Sequence, residues 1–251
     1  MNLDKIIEKT NFYPKNILLL GAADGIGQAI SKILINSNAN LKIYITSREK
    51  NNNTSRIKYY KLEATEESDW LKFIKILDKE KIKFDLIINT IGILHDEENK
   101  IIPEKSIKNF NANSFIQNIK VNTLVTALCI KYMTDYFSKN NKVILASLTA
   151  RLGSISDNNI GGWISYRASK AAQHMIIKTA SIEIKRTNNN LIIVGLHPGT
   201  VETKLSKPYL KSASKIFDTN ESAEKLLEVI YNLSNTDTGN IYDYSGRIIP
   251  Y

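Results

Sequence analysis

The apolar run Asn16 to Leu20 leads directly into Gly21-Ala22-Ala23-Asp24-Gly25-Ile26-Gly27, and a helical pattern follows from Gln28 to Leu34. A run without polar alternation reads as a strand covered on both faces, the habit of parallel sheets. Glycine permits a tight turn and close backbone approach, and the helix N-terminus behind it favours negative charge. Strand, glycine turn and helix in that order form a phosphate cradle. The spacing is GxxxGxG rather than the GxGxxG of the dinucleotide fingerprint.

Further strands are predicted at Leu41 to Thr46, Ile57 to Leu62, Phe84 to Ile88, Lys142 to Ser147 and Leu191 to Leu196. Helical stretches separate them: Ser68 to Lys81, about 113 to 137, and 166 to 185. A short helix within 2 to 13 precedes this set, and a capped helix from Thr219 through Leu233 follows it. Gly239 to Tyr251 reads as a final edge strand and packed tail. Such alternation predicts an α/β fold, a doubly wound parallel sheet with helices on both faces. With 43% hydrophobic residues and no composition break, residues 1–251 read as a single domain. Ligands of such sheets sit beyond the C-terminal strand ends, where Gly21, Arg48, Glu63 and Gly92 all fall.

Several functions are set aside by composition. The apolar runs are far too short to span a bilayer, and MNLDKIIEKTNF has no secretory character, so a cytoplasmic protein without a membrane partner is expected. Cys129 is the only cysteine, which excludes an intrachain disulfide and a thiolate zinc cluster. The three histidines are scattered at 95, 174 and 197, giving no support to a metal site. The net charge of +9 comes from dispersed lysines beside Asn and Ile, so no nucleic-acid partner is expected.

Chemistry concentrates in Ser165-Tyr166-Arg167-Ala168-Ser169-Lys170. On a helix, the i,i+4 spacing puts the Tyr166 phenol and the Lys170 ammonium on one face. A phenol titrates near ~10, and lowering it by about three units corresponds to roughly 4 kcal/mol of charge stabilisation, which a close cation supplies. Ser147 and Thr149 point to one face of an extended backbone, so either could present a hydroxyl there. Asn122 is unfavourable in mid-helix and can loosen the turn or hold water. His95 lies in the polar loop 93–111 and reads as solvated. Residues 204–218 have the mix of a substrate lid, with Tyr209, Leu210 and Phe217 as apolar contacts. At the end of the second strand, Ser47 stands where an acid would receive ribose hydroxyls, and Arg48 follows it. That favours NADP(H) over NAD(H), with Asp24 opposing modestly by like-charge repulsion.

With GAADGIG, NTIG, KVN, SYRASK and HPGTVET in this order, the chain resembles the short-chain dehydrogenase/reductase (SDR) family over essentially its full length. Thr149 to Pro208 and the loop ILHDEENKIIPEKS are similar to the C-factor-type branch. The resemblance implies a Rossmann-like single domain, a nicotinamide cofactor, an alcohol or carbonyl substrate, and a homodimer or homotetramer. It makes Tyr166 the general acid/base, with Lys170 lowering its pKa and bonding the nicotinamide ribose. Asn122 would hold a water linking Lys170 to solvent, and Thr149, with Ser147 in reserve, would orient the substrate oxygen. For the cofactor it implies Gly21, Asp24, Gly25, Ile26 and Gly27 at the pyrophosphate, Arg48 beside Ser47 at the adenosine phosphate, with Ser47 in the acidic residue's place, and Glu63 with Ala64 at the adenine. Asn89, Thr90 and Gly92 match the strand-end motif, and Pro198, Gly199, Val201 and Thr203 match the carboxamide loop. Leu20, Thr90-Ile91 and Glu63 depart from the family's usual hydroxyl residue, Asn-Ala and Asp. The implied activity is an NADP(H)-dependent oxidoreductase; the alternative is a non-catalytic NAD(P)-sensing or signalling protein.

Overall fold

The computed structural model describes residues 3–37, 40–49, 51–140, 142–203, 206–212 and 215–251. Seven strands form one sheet in the order β3-β2-β1-β4-β5-β6-β7, every neighbouring pair parallel. They are β1 (Asn16–Leu20), β2 (Lys42–Ser47), β3 (Ile57–Lys61), β4 (Leu86–Asn89), β5 (Val143–Leu148), β6 (Leu191–His197) and β7 (Ile241–Asp243). The helices are α1 (Leu3–Thr10), α2 (Gly25–Ser37), α3 (Glu67–Glu80), α4 (Ala112–Asn118), α5 (Val125–Met133), α6 (Ile164–Ile184) and α7 (Thr219–Asn232).

The period of two along β1 sorts its side chains into two layers. Ile17 and Leu19 pack with Ile7 of α1, Ile30 and Leu34 of α2, and Leu226 and Ile230 of α7. Leu18 and Leu20 pack with Trp70 and Phe73 of α3, Cys129 and Met133 of α5, and Ile177 of α6. The four β1 side chains are fully buried, each burial contributing about 1.5–3 kcal/mol, and any single polar replacement would break both a layer and the sheet centre. This is the predicted doubly wound sheet with helices on both faces.

The order reverses at β1, whose neighbours are β2 on one side and β4 on the other. Leu20 is in register with Thr46 and with Asn89, so Gly21 and Thr90 leave the sheet at one end, beside Ser47, the last residue of β2. A crevice opens where the connections diverge, and this positions the site.

Some boundaries differ from the sequence reading. Phe84 forms only an isolated bridge with Phe137, and β4 begins at Leu86. The helix expected over 113–137 is broken by a π-helical turn, Ile119–Leu124, which contains Asn122, so the mid-helix Asn marks a loosened turn. The expected lid, 204–218, lies partly outside the described residues; its described part includes the 3-10 turn Lys207–Ser212. Among the described residues, no helix is long and apolar enough to cross a membrane.

Candidate active site

The turn after β1 requires its glycines. Gly21 has φ +76° and Gly25 has φ +55°, in the left-handed region. A Cβ on Gly27 would lie 2.7 Å from both Ala22 Cα and Thr90 Oγ1, so α2 starts packed directly on the ends of β1 and β4. Thr90 closes this junction by donating its hydroxyl to the Leu20 carbonyl at 2.7 Å. Gly21, Asp24, Gly25, Ile26 and Gly27 line a cleft of about 450 Å³, and Thr149, Tyr166 and Lys170 face them across it, with Pro198 and Thr203. A second cavity of about 460 Å³ shares Gly21, Asp24, Thr90 and Gly92 and extends to Ser47, Arg48, Glu63 and Ala64. An elongated cleft with a helix N-terminus at its middle fits a dinucleotide with its diphosphate at α2.

At the far end Arg48 is exposed. Asp96 nearby is held below its ordinary pKa by the side chain and backbone of Asn99, with Arg48 adding a smaller attraction. The Ser47 hydroxyl is turned into its own loop, donating to the Glu49 carbonyl and accepting from Asn51 Nδ2 at 2.9 Å. Glu63 Oε1 accepts from the Thr65 hydroxyl at 2.9 Å, and the Ala64 carbonyl accepts from Trp70 Nε1 at 2.9 Å. These bonds stiffen the wall of the cavity.

At the near end, α6 carries Tyr166 and Lys170 to one wall. Lys170 Nζ lies 5.8 Å from the Tyr166 ring centroid. The ammonium group is 3.4 Å from the Leu148 carbonyl and 3.1 Å from Gln173 Oε1. Burial lowers the Lys170 pKa to about 7, and burial raises the Tyr166 phenol above its ordinary value. The expected lowering of the phenol by Lys170 is not found: burial is the cause that acts on Tyr166, and it raises the phenol.

Asn122 stands behind this pair as a brace. Its Oδ1 accepts from Ile93 N at 2.8 Å, and its Nδ2 lies 2.9 Å from Ile93 O and 3.0 Å from Ser169 Oγ. A Cβ on Gly92 would be 3.3 Å from Asn122 Oδ1 and 3.6 Å from Lys170 Nζ, so the chain after β4 runs close beside both.

The two hydroxyl candidates separate by depth. Ser147 lies inside β5, paired with Asn89 and Gly195, and its buried Oγ has no hydrogen-bond partner among the described residues. Thr149 is past the strand end and lines the cleft, with Oγ1 2.8 Å from His174 Nε2.

Other expected cofactor contacts stay outside the lining. Asn89 is fully buried, accepting from Ile91 N at 3.1 Å and donating to Thr126 Oγ1 at 3.2 Å, so its side chain shapes the strand end. Gly199, at φ +82°, would put a Cβ 2.6 Å from the Phe217 ring, and Val201 bridges Phe217. Phe217 itself is 1% exposed and packs on Tyr244, so it is a core residue and not a lid contact. Leu210's side chain lies outside those described. Tyr209 instead joins His95 at 5.5 Å and Trp163 at 5.2 Å between ring centroids, and Trp163 is 6.3 Å from Tyr166. His95 is thus half-buried beside an aromatic ring rather than solvated.

Gln173 and His174 are the site residues that sequence reasoning missed. Their signal was helical periodicity, since positions three and four beyond Lys170 share its face. Among the described residues, no group of three or more His, Cys, Asp or Glu is placed to hold a metal ion.

Residues 15–214 match the short chain dehydrogenase family. The chain belongs to that family. This short-chain dehydrogenase is 32% identical over 107 residues to C-signal of Myxococcus xanthus, a match covering 43% of the chain and 60% of that relative. Among solved structures it is similar to the carbonyl reductase Sniffer of D. melanogaster, with a TM-score of 0.82 at 20% identity, covering 94% of this chain and 99% of that one. It is also similar to an NADPH-bound carbonyl reductase from chicken fatty liver, with a TM-score of 0.79 at 21% identity and 94% of each chain covered. At such identity these likenesses show the fold alone of this short-chain dehydrogenase, a Rossmann-like one.

Proposed function

We propose that residues 1–251 form one catalytic domain that reduces a carbonyl compound with NADPH, Tyr166 donating the proton to the carbonyl oxygen. The observation that carries this reading is the shared cleft, in which the glycine cradle faces Thr149, Tyr166 and Lys170. Gly25 to Gly27 at the start of α2 would hold the diphosphate, Arg48 the adenosine 2′-phosphate, and Lys170 the nicotinamide ribose. A bound nicotinamide supplies the hydride that reduces the carbonyl carbon. Tyr166, a phenol protonated at neutral pH, gives its proton to the oxygen as negative charge develops there. Thr149 donates the second hydrogen bond to that oxygen, and Lys170 in its charged form stabilises the phenolate left behind. The chicken carbonyl reductase with bound NADPH supports the choice of cofactor, as does the lack of an acid at Ser47.

The test is a titration with NADPH and NADH read by nicotinamide fluorescence, followed by turnover on a panel of carbonyl compounds. Tighter NADPH binding and turnover lost on Tyr166→Phe are the expected results. Preference for NADH removes the role of Arg48 while sparing the reaction. Cofactor binding without turnover of any carbonyl overturns the enzyme reading in favour of a sensing role, which the likeness to C-signal favours.

A further inference from the structure

His174 is 2% exposed and Thr149 is 4% exposed, so the 2.8 Å contact between Nε2 and Oγ1 is made out of water. Burial, together with the nearby Lys170 and His197, lowers the His174 pKa to about 4, so the imidazole is neutral at pH 7. A neutral imidazole carries one proton, on one nitrogen only. The position of that proton decides what the threonine hydroxyl can do.

The other ring nitrogen, Nδ1, is buried and has no hydrogen-bond partner among the described residues. Were Thr149 to donate to Nε2, the proton on Nδ1 would be a buried donor facing no acceptor, a defect of about 1–3 kcal/mol. With the proton on Nε2, the orphan at Nδ1 is only a lone pair, which interiors tolerate better than an unpaired N–H. In that tautomer His174 donates and the hydroxyl accepts. The hydroxyl's own proton is then left to point elsewhere, and Thr149 lines the cleft beside Tyr166.

The packing leaves the ring little freedom to choose otherwise. A Cβ on Gly153 would lie 2.7 Å from His174 Cε1, so the 3-10 turn Arg151–Gly153 presses on the imidazole. The Tyr251 ring closes another side at 6.5 Å, edge to face. The methyl of Thr149 is likewise fixed, since a Cβ on Gly195 would stand 3.1 Å from it. Both partners are therefore held in one geometry.

We propose that His174, as the Nε2–H tautomer, is a positioning residue that donates to Thr149 Oγ1 and so commits the threonine hydroxyl to donate into the cleft, toward the substrate oxygen. This rests on the reading of Thr149 as the hydroxyl that meets the substrate.

Two measurements test it together. The tautomer is read directly in the wild-type protein labelled with ¹⁵N-histidine, from long-range proton–nitrogen correlations at neutral pH. A proton on Nε2 is expected, and a proton on Nδ1 overturns the inference whether or not the protein is an enzyme. Kinetics with NADPH and the best carbonyl of the panel then test the consequence. His174→Phe keeps a flat ring but removes the donor, and is expected to lower kcat roughly tenfold to a hundredfold with NADPH affinity unchanged. His174→Gln, which places an amide donor near the Nε2 position, is expected to restore most of the rate. The double variant with Thr149→Val should be no slower than Thr149→Val alone, because the histidine acts only through that hydroxyl. Additive losses overturn the positioning role. A wild-type protein that binds NADPH but reduces no carbonyl overturns the function beneath it, and the nitrogen spectrum still decides the tautomer.

Discussion

Gln173 Oε1 lies 3.1 Å from Lys170 Nζ, one turn further along α6, and Gln173 Nε2 donates to Thr126 Oγ1 at 2.9 Å and to the Leu148 carbonyl at 3.1 Å. The lysine is 3% exposed, and the acceptors it meets are neutral. With no carboxylate among the described residues bonded to it to compensate desolvation, its pKa falls to about 7. The glutamine fixes where the ammonium sits without holding its charge.

Replacing that amide by a carboxylate changes the balance. In Gln173→Glu an opposite charge faces the ammonium and favours its protonated form, so the Lys170 pKa rises. Activity that needs charged Lys170 is lost as pH rises through that pKa. The basic limb of the pH dependence of kcat/KM is therefore expected to move up by about one unit or more in Gln173→Glu. An unmoved limb would assign it to another group.

Acid should weaken the fold through two histidines. Burial is the largest cause that lowers His174 and His197, both to about 4 from 6.5. Between pH 6.5 and 4 the unfolded chain binds protons that the folded chain refuses, so stability falls as pH drops through that window. Each histidine contributes a slope of about 1.4 kcal/mol per pH unit within it. Urea midpoints measured at pH 7 and pH 5 are expected to show the loss, and His174→Gln should make it smaller.

The cradle was legible because buried parallel strands read as apolar runs and glycine marks the turn between them, as at Leu20-Gly21. Tyr166 and Lys170 were legible through helical spacing read together with the ordered motifs GAADGIG, NTIG, KVN and HPGTVET around them. Depth was not: Ser147 and Thr149 share a face, and only the register of β5 with β4 and β6 puts one inside the sheet and the other past its end. Phe217 reads as a lid residue because it sits among small and basic neighbours, yet the left-handed turn at Gly199 lets the chain close over it. Gln173 and His174 bond to Leu148 and Thr149, far away in sequence, and no local pattern names such partners.

At the opposite end of the sheet, Asp85 ties β1 to β4. It is 3% exposed, and its carboxylate accepts from Lys15 N at 2.7 Å, Asn16 N at 3.0 Å, Ser138 Oγ at 2.6 Å and Asn140 Nδ2 at 2.7 Å. Asp85→Ala leaves four donors without their acceptor and is expected to destabilise the fold by about 3 kcal/mol or more. Urea unfolding measures it, and a loss below about 1 kcal/mol would show that water replaces the carboxylate.

Arg48 lies at the far end of the cleft, exposed and near Asp96. A guanidinium there matches a 2′-phosphate in charge and in the fork of its donors, while NADH offers it no such group. Arg48→Ala is thus expected to weaken NADPH binding about tenfold to a hundredfold and to leave NADH binding nearly unchanged, corresponding to about 1.5–3 kcal/mol for a charge-assisted contact. Asp96→Asn removes the acid that competes for Arg48, so NADPH binding should tighten, by less than tenfold because the site is open to solvent and screened by salt. Fluorescence titration of both variants with both cofactors checks the pair. Equal weakening of NADPH and NADH in Arg48→Ala would place the arginine against the part the two cofactors share, and cofactor choice would then rest on other residues.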